Sequence, residues 1–323
     1  MKSKIQLILK ALISLALIAY LLSQTEFSAI FASLISADPR YLLLAMLTLF
    51  LGKLISGYRW QILLLAQDIK IPLKTLIASL FVGQFFNSFL PTTIGGDAIR
   101  AYDTAIESEE SAKAVTTVFM DRFVGVLALV TLAVLAVPIA MLVGEDVSFY
   151  FIPVLIVFLL CVVGLVVVLN NSLVRIFANF LLKMRLSRIA NLVMKIYQSI
   201  QEMKGDATAL WLAFGISILL QINVVIFHYL IALSIDLDFS IIYFFILVPI
   251  VLTVLIVPFS INGIGLREGA FVFLLAGIGV TAYDAIAFSL LSFFLVLTQA
   301  VIGGIIFALR GVKISDLTTS QTS

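Results

Sequence analysis

Cysteine and histidine are nearly missing from this chain: its 323 residues hold one of each, Cys161 and His228. A single cysteine excludes an intrachain disulfide, and the two residues together are too few for a dedicated zinc site. Charge is scarce too. Asp, Glu, Lys and Arg make up 12% of the residues, where soluble domains carry about 25%. No Gly-x-x-x-x-Gly-Lys-Ser/Thr loop occurs, so the signature of a nucleotide-driven motor is absent. No serine elbow, His-Glu-x-x-His or Cys-x-x-Cys pattern occurs either. Neither a metal nor a cofactor is expected.

What the chain has in abundance is apolar surface. Hydrophobic residues make up 63% of it and the mean hydropathy is +1.21. A helix crosses a bilayer with about 20 mostly apolar residues. Long apolar runs occur at about 5–23, 41–66, 114–143, 148–170, 207–234 and 283–309. They lack the two-residue alternation of a membrane β-barrel. The expectation is an all-α polytopic membrane protein forming one transmembrane domain. Lys2 and Lys4 precede the first run, but no small-x-small cleavage site follows it. A retained first helix is therefore expected in place of a cleaved signal peptide.

Two shorter apolar runs, 75–90 and 241–257, behave differently. Each leads into a polar, glycine-rich return segment, 91–113 and 258–280. The distribution of Lys and Arg sets the sides. The segment 171–206 holds Arg175, Lys183, Arg185, Arg188, Lys195 and Lys204, and is expected in the cytoplasm. Lys70, Lys74, Arg310 and Lys313 join it. Acidic connections at Glu26, Asp38, Glu145, Asp146, Asp236, Asp238 and Asp284 face outward. With these sides assigned, 75–113 enters and leaves from the inside, and 240–280 from the outside. The expected architecture is six spanning helices plus two oppositely oriented re-entrant helical hairpins. Both termini lie in the cytoplasm, and the expected location is a prokaryotic cytoplasmic membrane. Apolar positions at three- and four-residue steps in 172–204 predict an amphipathic helix on the inner surface. A connector helix packed on the bundle is the alternative. A short tail, 311–323, ends the chain.

The return segments match each other. Their prolines, Pro91 and Pro258, lie 167 positions apart (258 less 91). At that offset Ile94 pairs with Ile261, Gly96 with Gly263 and Arg100 with Arg267. Run 41–66 then falls on 207–234, and 114–143 on 283–309. Because the paired runs cross in opposite senses, an inverted-topology repeat is expected. Its halves span about 1–143 and 148–310.

The motifs read PTTIGGDAIR at 91–100 and PFSINGIGLR at 258–267. Glycine lets backbone approach a ligand closely, and amide groups at a turn or helix start bind anions. Arginine adds bidentate phosphate recognition. The candidate binding residues are Gly95, Gly96, Asp97, Arg100 and Arg122, with Asn262, Gly263, Gly265, Arg267 and Glu268 in the second motif. Asp97, Asp121 and Glu268 are candidates for counter-charge or for proton or ion coupling. Ionisable residues at membrane depth are rare and costly, which favours function; turn-locking Arg–acid pairs are the structural alternative. Asp121 and Arg122, well inside a long apolar run, read equally as a headgroup site or as an interhelical ion pair. Gln84 and Asn87 either line a cavity or make packing hydrogen bonds. His228 reads as a bundle hydrogen bond. Tyr58, Arg59 and Trp60 read mainly as interfacial anchors.

These residues carry a resemblance. The stretch GQFFNSFLPTTIGGDAIRAY (83–102), the pair Asp121-Arg122, Tyr58-Arg59-Trp60 and PFSINGIGLREGA (258–270) are similar to the lysylphosphatidylglycerol synthase transmembrane-region family. In its bifunctional members such a membrane domain moves aminoacylated phosphatidylglycerol between leaflets, while a separate soluble domain makes that lipid. No such soluble domain is present in this sequence, so the resemblance implies lipid translocation and not synthesis. The implied partner is a membrane lipid: an aminoacylated or other anionic phospholipid, a glycolipid or a polyprenyl phosphate. No nucleic acid partner is expected, and a homo-oligomer is left open. A membrane enzyme or enzyme subunit acting on lipid-linked sugars, and a small-anion transporter, are the competing readings. On the first reading Arg100→Ala abolishes lipid transport in liposomes while membrane insertion persists. Normal transport by that variant would sink the role assigned to Arg100.

Overall fold

The computed structural model describes residues 27–89, 95–184, 187–203, 207–256 and 263–310, and among these every regular element is helical. The first apolar run, the stretch Pro91–Ile94 and Asn262 lie outside the described residues. Twelve helices follow in order. They are α1 (Phe27–Ser36), α2 (Pro39–Leu65), α3 (Leu73–Phe89), α4 (Gly95–Ser108), α5 (Ser111–Leu142) and α6 (Ser148–Leu169). After these come α7 (Asn171–Lys183), α8 (Ser187–Met203), α9 (Ala207–Ser234), α10 (Ile241–Ile256), α11 (Leu266–Ala276) and α12 (Ala282–Leu309).

Local signals set several boundaries. Asp38 caps α2 by accepting from the Arg40 amide at 2.8 Å, and Pro39 takes the first helical turn, where its missing N–H costs nothing. Thr281 caps α12 through the Asp284 amide. Helices α2, α5, α9 and α12 are each long and apolar enough to cross a membrane. Run 148–170 folds as α6, and run 241–257 as the shorter α10. Leu43, Leu47, Leu51 and Leu54 form an exposed apolar stripe on α2, and Phe151, Leu155, Phe158 and Val162 do the same on α6. Such surfaces suit hydrocarbon, as expected of an integral membrane protein.

The amphipathic segment differs from expectation. It folds as two helices, α7 and α8, packed on one another. Each carries its own apolar stripe, so the periodic pattern runs through the break without marking it. Helix α8 is held to the bundle, with Tyr197 and Ile200 buried and the Gln67 amide donating to the Ser199 carbonyl at 3.1 Å. Helix α7 instead leaves Ile176, Phe177 and Phe180 exposed. The connector reading describes α8.

At the centre, α2 and α9 run antiparallel. The Asp38 amide donates to the Ser234 carbonyl at one end, the Asn223 side chain to the Thr48 carbonyl midway, and Arg59 to the Ser217 hydroxyl at the other. Helix α3 packs on α12, and α10 packs on α5. The main core surrounds α10, whose Phe244, Ile246, Leu247, Val248 and Val251 are almost wholly buried. A smaller cluster of Trp60, Leu64, Leu76, Leu80 and Val118 joins α2, α3 and α5 beneath the charged residues described below.

Backbone meets backbone where α12 crosses α3. A Cβ added at Gly303 would lie 1.9 Å from the Phe81 carbonyl oxygen and 2.6 Å from its carbon. No flexible side chain is there to yield. Gly303→Ala is expected to cost about 1–3 kcal/mol through overpacking, seen as a lower apparent Tm in detergent. Gly164→Ala, in open space, should leave Tm unchanged; equal behaviour of the two variants would refute the tight crossing.

Candidate functional site

Helix α4 starts where it does because two glycines let it. A Cβ at Gly96 would lie 2.2 Å from the Gly83 carbonyl oxygen of α3. The Gly96 amide donates to Asn87 Oδ1 at 2.7 Å. Asn87 thus serves the packing role considered for it, tying the two arms of the hairpin together. Gly95 opens the helix beside it.

This crossing aims the first turn of α4 at α5 and α2, and a chain of charges results. Arg100 Nη2 donates to Asp121 Oδ2 at 2.8 Å, and Arg59 Nε donates to Asp121 Oδ1 at 2.7 Å. Arg59 Nη1 reaches Ser217 on α9 at 3.0 Å. Arg122 clasps Asp97 through Nε and Nη2, each at 2.9 Å. Arg100 Nη1 approaches Asp97 at 3.5 Å. The Arg100 guanidinium lies 4.1 Å from the Trp60 ring centroid, a cation–π arrangement. The order is Arg59, Asp121, Arg100, Asp97, Arg122. Its inner members are sealed, with Asp121 only 1% exposed, while the Arg122 side chain is 55% exposed.

Asp121 and Arg122 both take part in interhelical ion pairs, Asp121 bridging Arg59 and Arg100 while Asp97 takes Arg122. One sequence expectation changes here. Arg59 and Trp60 are not interfacial anchors, being 5% and 0% exposed. A position near a helix end suggested the interface, but Asp121 and Gly125 of α5 and Ser217 of α9 enclose Arg59, while Trp60 packs against Leu76, Leu80 and Val118. Only Tyr58 stays exposed. The burial of Arg100 also makes Arg100→Ala a structural lesion, because Asp121 would lose one of its two partners.

Lys53 was missed. It lies in the middle of α2, and its Nζ donates to Gln84 Oε1 at 3.0 Å, close enough to Arg122 and Arg100 to feel their charges. A lone lysine inside a 26-residue apolar run, 41–66, was the available signal. Gln84 thereby joins the site as an acceptor for Lys53.

The second motif folds on itself. Gly265 takes φ +81°, and its amide donates to Glu268 Oε2 at 2.6 Å. Arg267 binds Glu268 Oε1 through Nε and Nη2, and its Nε also reaches Ser289 Oγ at 3.1 Å. The Ser289 hydroxyl donates to Glu268 as well, at 3.2 Å. Phe293 lies under the guanidinium, 4.6 Å away. Gly263 precedes this turn with φ +73°. Nearby His228 sits among Phe227, Phe271 and Phe288, with Nδ1 at 2.8 Å from the Val224 carbonyl, which suits the bundle role. Among the described residues the two motifs share no hydrogen bond, and no cluster of His, Cys, Asp and Glu suits a metal.

The match to the model of the lysylphosphatidylglycerol synthase TM region covers residues 7–304. The chain belongs to this family. It is also similar to a UPF0104 membrane protein of Pyrococcus horikoshii, 31% identical over 103 residues, which is 31% of each chain. A UPF0104 membrane protein of Methanocaldococcus jannaschii is 30% identical over 123 residues, 38% of this chain and 35% of the relative. The matches thus span about a third of these relatives' length. The family match encloses both motifs and every charged residue of the α4–α5 site.

Removing one member of a buried ion pair leaves the other charge uncompensated, at a cost of about 3–5 kcal/mol. Asp121→Asn is expected to lower the apparent Tm in detergent sharply. Arg122→Gln, which removes a half-exposed partner, should lower it far less. Equal losses would show that Asp121 does not bear the structural load.

Proposed function

We propose that this protein moves an anionic phospholipid or a phosphate-linked lipid between membrane leaflets without altering it chemically. The observation that carries the reading is Arg122. Its Nε and Nη2 face Asp97, while Nη1 has no partner among the described residues. A half-exposed guanidinium at membrane depth, held on one edge and open on the other, suits a phosphate group. The phosphate competes with Asp97 for Arg122, so ligand entry and release of α4 from α5 become linked. Arg100, fixed by Asp121, keeps the site positive while this happens. The acyl chains remain in lipid throughout.

The arrangement of helices supports alternating access. An offset of 167 carries α2 onto 206–232, α3 onto 240–256, α4 onto 262–275 and α5 onto 278–309. These ranges match α9, α10, α11 and α12. The packing also exchanges: α3 lies on α12, as α10 lies on α5. The central mates α2 and α9 are antiparallel. On this reading the two halves form an inverted-topology repeat, with α3–α4 and α10–α11 as re-entrant hairpins among six spans. Direction then comes from the lipid gradient or from an ion coupled through Asp97, Asp121 or Glu268. The family's name, which refers to a phosphatidylglycerol lipid, is in keeping with a lipid cargo.

The test is reconstitution of the pure protein in liposomes with headgroup-labelled lipids: aminoacyl-phosphatidylglycerol, a glycolipid and a polyprenyl phosphate. One class is expected to cross, and Arg122→Gln to slow it at least tenfold while the protein stays folded. No movement of any lipid by folded protein would overturn translocation. A chemically changed lipid would favour the enzyme reading instead.

A further inference from the structure

The two motifs look alike in sequence but differ in charge. In the second, Arg267 meets Glu268 one for one. In the first, Arg59, Arg100 and Arg122 surround two carboxylates, Asp97 and Asp121, and Lys53, held on Gln84, adds a fourth cation near Arg100 and Arg122. Asp121 is spent on two arginines, and Asp97 on Arg122 with a weaker contact to Arg100. Among the described residues Lys53 has no carboxylate partner; its hydrogen bond is to the neutral Gln84. With Lys53 protonated, the cluster carries two positive charges more than negative ones.

Such a surplus is expensive where water is scarce. A further observation suits an anionic ligand. Arg100 Nε is buried without a hydrogen-bond partner among the described residues. Arg122 Nη1, on a side chain open to its surroundings, also has no partner among the described residues. Lys53 reaches this place across the hairpin: its acceptor Gln84 follows Gly83, which touches Gly96, and Asp97 comes next.

Resting on the translocase reading, we infer that the site selects a phosphate group bearing two negative charges, a phosphate monoester or a diphosphate, and that Lys53 reads the second charge. A phosphodiester supplies one charge and leaves one cation unmatched. A headgroup with a free amine adds positive charge to a site already in surplus. The ligand class is therefore a terminal or bridging phosphate without attached cations, carried on a lipid or free as inorganic phosphate.

The test measures equilibrium binding to the purified full chain in detergent, so it does not depend on translocation. At pH 7, where a phosphate monoester already carries about −1.5 to −2 charge, decyl phosphate is compared with its methyl diester. The monoester is expected to bind at least about tenfold more tightly. Lys53→Gln should erase that preference, and Lys53→Arg should keep it. Diester binding as tight as monoester binding would overturn the inference, as would a preference that survives in Lys53→Gln. Inorganic phosphate serves as the headgroup-only arm. Displacement of decyl phosphate by an equal concentration of it would support the dianion site and assign it to the free ion. A need for large excess would support the site as a lipid-phosphate site. Preserved binding preference without liposome transport would remove the translocase reading and keep the dianion site.

Discussion

One carboxylate holds this molecule's charged interior together. Asp121 receives Arg59 from α2 on one oxygen and Arg100 from α4 on the other, almost out of contact with solvent. In a low-dielectric interior neither arginine can stay charged without it, and a guanidinium does not lose its proton. Three helices are thereby bound at one point, and Arg59 brings in a fourth through Ser217 on α9. Everything at the site follows from that placement. Asp97 sits one turn before Arg100 on α4, and Arg122 sits beside Asp121 on α5, so the exposed pair takes its position from the buried one. Lys53 then approaches over Gln84.

Much of this was visible in the residues alone. The apolar runs marked α2, α5, α9 and α12 within a few positions, because a bilayer demands length and composition that soluble segments rarely reach. Gly95-Gly96-Asp97 and Arg100 announced a special turn, and Gly96 is explained by its close approach to Gly83 at the α3–α4 crossing. Other features were illegible for physical reasons. Arg59 and Trp60 stand near a helix end, where arginine and tryptophan ordinarily meet the interface. The packing of α5 and α9 on Arg59 and of α3 and α5 on Trp60 buries them, and this is a tertiary fact with no local signature. The amphipathic segment was read as one helix because its periodicity crosses the break between α7 and α8. Lys53 was overlooked for the opposite reason: one charge in a long apolar run disturbs the average too little to be noticed. Pro91–Ile94 and Asn262, central to the motif argument, lie outside the described residues.

The two glycine–arginine motifs show how similar letters serve different ends. In the second, Glu268 caps its own helix through the Gly265 amide and satisfies Arg267 and Ser289 together. That is a closed arrangement. At the matching offset Asp121 becomes Phe288 and Arg122 becomes Ser289, so charges that open the first site are replaced by a buried ring and a hydroxyl. The apolar core around α10 gathers on that side, with Phe288 in contact with both Phe244 and Phe271. One half is built for firmness and the other for charge.

Because α3 rests on α12 and α10 rests on α5, each half of the chain shelters the short apolar helix of the other. Biosynthesis has to respect this. When α3, α4 and α5 leave the ribosome, the wall that closes over Phe81 and Phe85 has not been made, since Gly303 and Gly304 lie near the end of the last helix. The Arg–Asp chain can form early, from segments close in sequence, and hold the hairpin against α2 and α5 in the interval. The seam between α3 and α12 closes only after almost the whole polypeptide has been translated. A newborn chain must therefore leave α3 and α4 half-covered while more than half of its length is still being made.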